Sequence, residues 1–305
     1  MVVFTEIGAF FAASHLAKAL DAELFVMNTK YASFFGSSCA TTETYCGDNT
    51  ENITNGDITI IGFAALEKIH KRIENGDFER VNYIISDTLS CINYKWWNDF
   101  VVKNNIDLYI MPDIEPYCFV NYKPIYQYIE INKNLILPKP KKLLITHSPR
   151  SNHKIKTKGT NEIESFISKL KKKHDFDFKL ITGLKMDNAL KEKSKSHIHI
   201  DQLVFKNKNI EKHWGEIKYH GALGKSGLEA MMLGCCVITG APEPKTMPYF
   251  ESPPIVWTSL NDFYKDLEFL IVNKDERRKQ IKKQNYWVKN IISNKEFYKK
   301  YLTER

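Results

Sequence analysis

The run from Tyr219 to Gly240, YHGALGKSGLEAMMLGCCVITG, holds the densest set of residues suited to binding an anion. Gly221, Gly224 and Gly227 allow tight turns and close approach of a ligand to the backbone. Ser226 stands where a helix N-cap is expected, and Leu228, Met231 and Met232 follow at helical spacing. Gly234 is placed to end that helix, and Cys235–Thr239 reads as a short strand covered on both faces. The N–H groups at the start of such a helix are a ready site for phosphate. Lys225 adds a cation beside Gly224, and Glu229 falls in the first expected turn, where a carboxylate can face a sugar hydroxyl.

A second polar segment, Thr146-His-Ser-Pro-Arg-Ser-Asn-His-Lys-Ile-Lys-Thr-Lys-Gly-Thr160, leaves an expected strand and enters a helix. A positioned cation there stabilises a leaving group on which negative charge grows. Lys158 is the first candidate and Arg150 the second, while Lys154 and Lys156 lie further out on the loop. His147, at the strand end, is a candidate phosphate or sugar contact, although a lone His there is as often structural. His197 and His199 share a strand face at i and i+2, with Asp201 at its end. A metal reading of this pair lacks a third ligand, so no metal is expected.

These residues need a scaffold, and the patterning supplies one. Expected strands at Val2–Ile7, Glu23–Asn28, Asp57–Gly62, Val81–Asp87 and Ile106–Pro112 alternate with helices at Ala9–Leu20, Ala64–Asn75 and Tyr94–Asn104. Such alternation specifies a parallel, doubly wound sheet, with ligands beyond the carboxyl ends of its strands. Gly8, Asp87 and Asp113 fall at such ends. The stretch Leu137-Pro-Lys-Pro-Lys-Lys142 reads as a stiff linker, and a second strand–helix series follows it. Asn261 onward is mostly helical and charged, with Tyr286, Trp287, Ile291, Phe297, Tyr298 and Tyr301 as a docking surface. The expected division is residues 1–138, 139–284 and a tail, 285–305.

Composition narrows the function classes. At 305 residues the chain exceeds one typical core, and 43% hydrophobic content fits globular domains. No run is long enough to span a bilayer. The N-terminus lacks a basic start and carries Glu6, which argues for a strand rather than a signal peptide. Six cysteines without zinc or disulfide spacing favour a reducing, cytoplasmic setting. The net charge of +8 lies mainly in second-half lysines, which suit a nucleotide-sugar, an anionic membrane face, nucleic acid or plain solvent.

The segment SGLEAMMLGCCVITG resembles the donor-site segment of group 1 glycosyltransferases of the GT-B fold, roughly G-x-x-x-LEAMA-x-G-x-PV-[IV]. The 146–160 stretch is similar to that family's H-[SA]-P-[ST]…KGT, and Ser196–Leu203 to its D-x-x-x-DQ strand. The resemblance implies an α/β fold of two Rossmann-like, doubly wound domains facing a cleft, with a C-terminal helix crossing back to the first. It implies transfer of a sugar from a nucleotide-diphosphate sugar to an acceptor hydroxyl, with no tightly bound cofactor and no bound divalent ion. Lys158, Lys225, Ser226 and the Gly224–Gly227 amides would hold the diphosphate and Glu229 the ribose, with His147 and Arg150 also on the donor. Gly8, Asp201 and His220 would be sugar or cleft contacts. The implied acceptor is a surface glycan or lipid-linked glycan, and nucleic acid or protein is the alternative. One departure matters: the first acid of the family's E-x7-E pair falls at Gly221. Stereochemistry and sugar therefore stay open, and so does binding without turnover. If the reaction inverts, a general base is needed, for which Asp87 and Asp113 are the candidates and His15 a weaker one.

Overall fold

The computed structural model describes residues 1–6, 10–27, 44–46, 53, 55–61, 67–85, 94–110, 122–149, 158–203, 223–240 and 253–303. The chain divides into two compact units. One takes in Met1–Glu130 and Ile292–Arg305, the other Ile131–Glu211 and Lys218–Ile291.

The first unit is built on a parallel sheet of β1 (Val2–Glu6), β2 (Glu23–Met27), β3 (Thr44–Cys46), β4 (Asp57–Ile61), β5 (Arg80–Ile85), β6 (Asp107–Ile110) and β7 (Tyr122–Pro124). Its order is β3-β2-β1-β4-β5-β6-β7, so the chain reverses direction across the sheet between β1 and β4. Helices α1 (Phe10–Leu20), α2 (Glu67–Glu74) and α3 (Tyr94–Lys103) connect these strands. Two hide a stripe at helical spacing, Ala13, Leu16, Ala17 and Leu20 on α1 and Ile69 and Ile73 on α2, and α3 buries Phe100 and Val101 near its end. Asp21 and Asn105 follow α1 and α3 with φ of 50° and 51°, a conformation these residue types tolerate better than most.

The last helix of the chain, α9 (Lys295–Thr303), completes this first core. Tyr298 and Leu302 are fully buried against the α1–β1 cluster, with Phe297 and Tyr301 packed beside them. The Tyr298 hydroxyl donates to the Tyr126 carbonyl at 2.7 Å and Tyr301 to the Pro124 carbonyl at 2.7 Å. Asn82 donates to the Leu302 carbonyl at 3.2 Å, so strand β5 satisfies part of the helix's C-terminus. Of the expected docking aromatics, Tyr286 is instead 71% exposed, and Trp287 is buried within the second unit. Both precede the point where the chain rejoins the first unit, at Ile292.

The second unit holds β8 (Leu144–His147), β9 (Asp177–Leu180), β10 (Ile198–Leu203), β11 (Cys236–Gly240) and β12 (Val256–Trp257), in the order β12-β11-β10-β8-β9. Around this parallel sheet run α4 (Thr160–Leu170), α5 (Met186–Ser194), α6 (Lys225–Met232), α7 (Phe263–Val272) and α8 (Lys274–Trp287). Ile163, Ile167 and Leu170 of α4 meet Phe263, Leu267 and Leu270 of α7 in one core cluster with the strands. The chain runs one way from β8 to β9 and the other way from β10 outward. The β8/β10 junction is therefore the topological switch point, where such sheets bind ligands.

The proline–lysine stretch packs into this unit rather than standing free. Leu137 N donates to Ser194 Oγ at 2.9 Å, and Lys139 Nζ reaches the Ser194 and Ser196 carbonyls. The division accordingly falls at Glu130/Ile131, ahead of residues 137–142.

Candidate functional site

At the switch point, the ends of β8 and β10 meet the start of α6. Strand β10 is buried at every position, although it carries His199, Asp201 and Gln202. A buried polar group must find partners, and those partners define the site.

Asp201 is fully buried. Its Oδ2 accepts a 2.6 Å hydrogen bond from Gly224 N, and its Oδ1 lies 3.6 Å from Lys158 Nζ. Gly224 is the N-cap of α6, with no side chain to supply a cap of its own. Asp201 thus supplies from the neighbouring strand the carboxylate that a helix N-terminus favours. This corrects the reading of Asp201 as a cleft contact. It also changes the role of two glycines. Gly224 has an ordinary φ of −70°. A Cβ there would stand 3.2 Å from Asp201 Oδ2, and one at Gly227 3.0 Å from the same oxygen. Both glycines make room for Asp201.

Ser226 is the second residue of α6, not its cap, and Glu229 lies two positions deeper than expected, as the fifth residue of the helix. Glu229 is buried, and its Oε2 accepts from Lys193 Nζ at 2.7 Å. Burial pushes this carboxyl up, but the Lys193 ammonium, with Lys225 and Lys158, outweighs it and holds the group below the usual range. Glu229 is therefore ionised and accepts only. Lys225 Nζ is 3.9 Å from Oε1, which is buried without a hydrogen bond among the described residues.

Lys193 also donates to Ser226 Oγ at 3.0 Å, and Ser226 Oγ lies 3.0 Å from His199 Nε2. An ammonium only donates, so the Ser226 hydrogen is directed to His199 Nε2. The His199 ring then carries its proton on Nδ1, 2.9 Å from Thr146 Oγ1, and Thr146 donates to Ser196 Oγ at 2.9 Å. Burial, then Lys193, His147 and Lys158, hold His199 well below its ordinary value, so the ring is neutral. The Ser226 hydroxyl, expected on a diphosphate, is thus engaged inside the protein.

His147 is likewise turned inward. Its Nδ1 donates to the Ile200 carbonyl at 2.9 Å and its Nε2 accepts from the Thr160 hydroxyl at 2.9 Å. Burial lowers its pKa to about 4. With both nitrogens occupied, His147 fastens β8 to β10 and to the start of α4, and it is not placed as a donor contact. His197 binds Leu144 N through Nδ1 at 3.1 Å and shares no partner with His199. Among the described residues no group of His, Cys, Asp or Glu is arranged to hold a metal ion.

Lys158 sits in the turn ahead of α4, after which Gly159 takes a φ of 68° as the helix N-cap. Its ammonium reaches the Asp201 carboxylate while the side chain stays 17% exposed. Lys158, Lys225, Ser226, Gly224, Gly227, Glu229 and Asp201 are therefore brought together, and His147 lies just behind them. Gly8, Asp87, Asp113, Arg150 and His220 lie outside the described residues, as do Lys154, Lys156 and Gly221. His15 of α1 is buried, and its Nδ1 accepts from Glu130 N at 3.1 Å.

Lys193 is a further member of this cluster. It lies among Lys191 and Lys195, with nothing in its immediate neighbours to mark it. The one signal is spacing: Leu190, Lys193 and Ser194 form the buried face of α5, so this lysine occupies an apolar-face position.

No protein-family model matches the chain, and no curated protein matches it by sequence. Solved structures do share its fold along nearly the whole length. HepE from Anabaena, in complex with UDP, is similar with a TM-score of 0.60 at 10% identity, covering 99% of this chain and 98% of that one. OtsA gives a TM-score of 0.60 at 11% identity, covering 100% and 99%. The DNA-modifying enzyme β-glucosyltransferase gives 0.53 at 8% identity, also covering 100% and 99%. The chain has the GT-B fold, two Rossmann-like α/β units with a C-terminal helix returning to the first. Among the described residues no helix is long and apolar enough to cross a membrane.

Proposed function

We propose that the protein is a glycosyltransferase that takes its sugar from a nucleoside-diphosphate sugar. The observation that supports this reading is the convergence of the Lys158, Lys193 and Lys225 ammonium groups on Asp201 and Glu229 at the β8/β10 switch point. Three cations against two carboxylates leave the cluster with an excess positive charge, suited to a diphosphate. Lys158 and Lys225 keep side chains 17% and 34% exposed, within reach of a phosphate, whereas Lys193 is sealed. Glu229, acceptor-only, faces the ribose hydroxyls.

In the reaction, the bond between the sugar's anomeric carbon and the diphosphate oxygen breaks, and the nucleoside diphosphate leaves with the electron pair. The acceptor oxygen bonds to that carbon, and its proton passes to a base, for which Asp87 and Asp113 are the candidates. Lys158 steadies the charge that grows on the leaving group. No bound metal or cofactor is invoked. We place the acceptor among surface or lipid-linked glycans, which is the family's usual role, with the enzyme in the cytoplasm and its basic face towards an anionic membrane.

A second reading, transfer to a hydroxyl on nucleic acid, draws on the full-length likeness to a DNA-modifying β-glucosyltransferase and on the +8 net charge. A thermal-shift panel of nucleoside diphosphates and their sugars tests the common core, because a ligand specific to the folded state raises the transition by mass action. Absence of any shift would sink it. Sugar transfer to duplex DNA, set against transfer to glycans, separates the two acceptor classes.

A further inference from the structure

Lys193 has a side chain 2% exposed and three hydrogen bonds: to Glu229 Oε2 at 2.7 Å, Ser226 Oγ at 3.0 Å and the Ser226 carbonyl at 3.3 Å. An ammonium has three hydrogens to give, and all three are committed. With its side chain 2% exposed, it is sealed from a phosphate. Its partners, three residues apart on α6, leave Glu229 with one oxygen bound and the other, Oε1, buried without a hydrogen bond among the described residues. Such an unpaired acceptor is destabilising. A pair that served only to join α5 to α6 would gain nothing from it. Because the carboxylate is ionised, only a donor can complete it, and one oxygen with two lone pairs suits two neighbouring hydroxyls.

We propose that Lys193 is the positioning residue of the donor site, fixing Oε2 of Glu229 so that Oε1 is presented to the vicinal diol of a ribose. This rests on the nucleoside-diphosphate reading above. Lys193 acts through Glu229 and does not touch the ligand. The buried chain from Lys193 through Ser226, His199 and Thr146 to Ser196 holds its own side in place. The facing charges are Lys225 at 3.9 Å from Oε1, on α6 itself, and Lys158 with Asp201 across the helix start.

The test is calorimetric titration of the full chain with uridine, guanosine and adenosine diphosphates and their 2′,3′-dideoxy forms. The wild type is expected to prefer the ribose form of its nucleotide by about tenfold or more, the size of a lost hydrogen bond to a charged group. In Lys193→Met that preference should fall to within about twofold, and Lys193→Arg should restore most of it. Should Lys193→Met lose its thermal transition, Lys193→Gln, which keeps a neutral donor near Glu229 and leaves Glu229 in place, is measured instead, with a partial loss of the preference expected. A wild-type preference that survives in the variant overturns the role of Lys193 and leaves the nucleotide site standing. Equal wild-type binding of ribose and dideoxyribose forms also overturns it. A wild type that binds none of the diphosphates overturns the functional reading and this inference together.

Discussion

The carboxylate of Asp201 lies against the α-carbon of Gly227: a Cβ at 227 would stand 3.0 Å from both Cγ and Oδ2 of Asp201 and 2.4 Å from Leu223 Cδ1. Leu223 can turn aside, but Asp201 is fixed by Gly224 N at 2.6 Å. The glycine spacing of this loop is thus set from within the fold.

Gly227→Ala should therefore destabilise the protein, by about 1–3 kcal/mol, as overpacking does. Helix propensity alone points the other way, since Ala is favoured over Gly by about 1 kcal/mol in a helix interior. Urea denaturation of the two proteins decides between them. A variant more stable than the wild type would show that Asp201 does not crowd this position.

Glu229 and Lys193 should behave as a pair. Glu229→Ala leaves a buried ammonium without its carboxylate, a loss of about 3–5 kcal/mol in stability. Lys193→Met/Glu229→Met replaces both by apolar groups and should recover much of that loss. The comparison is a double-mutant cycle in denaturant midpoints. Additive losses would mean that the two residues are not coupled.

Acid stability should carry the mark of His147. Its folded-state pKa is lowered to about 4 by burial, against about 6.5 in the unfolded chain. Between those values the unfolded chain binds the extra proton, so stability is full above pH 6.5 and falls as pH drops towards 4. The shift amounts to about 3 kcal/mol for this one ring. His199, also held neutral, acts in the same direction. His147→Gln can offer a donor and an acceptor without titrating, so its urea midpoint should fall less steeply over this window. A slope equal to that of the wild type would count against the buried neutral ring.

Much of the scaffold was legible because it rests on period and length. The βα alternation gave two doubly wound sheets, and the aromatic spacing at Phe297, Tyr298 and Tyr301 marked the returning helix. Within the site, the loop–helix–strand run at 224–240 could be located, yet the partners of its residues could not. Asp201 and Gly227 are distant in sequence, and only the parallel pairing of β10 with β11 brings the strand end to the helix start. Lys193 was hidden for the same reason: its meaning lies in the Glu229 it meets across two helices, while its neighbours in sequence are ordinary surface lysines. His147 misled because a strand-end histidine looks available until both its nitrogens are seen to be bonded.

Lys158 carries the last prediction. Its ammonium lies 3.6 Å from Asp201 Oδ1, beyond hydrogen-bond length, at the turn that starts α4. From there it can share a phosphate with a helix N-terminus, whose partial positive charge acts in the same direction. An interaction that strengthens as charge moves onto the leaving diphosphate lowers turnover more than it alters the Michaelis constant. Lys158→Ala should therefore lose about 2–4 kcal/mol of transition-state stabilisation, the scale of one lost oxyanion donor, seen mostly in kcat. Lys172 is exposed just after α4, where salt and solvent screen it, and Lys172→Ala should leave the kinetics unchanged. Both variants are assayed with the nucleotide-sugar that gives the largest thermal shift, at a pH where each is folded. If Lys158→Ala raised only the Michaelis constant, the residue would contribute to ground-state binding alone. If it changed neither parameter, its role would be confined to neutralising Asp201, and the leaving-group charge would have to be met by Lys225 or by the loop cations between 150 and 156.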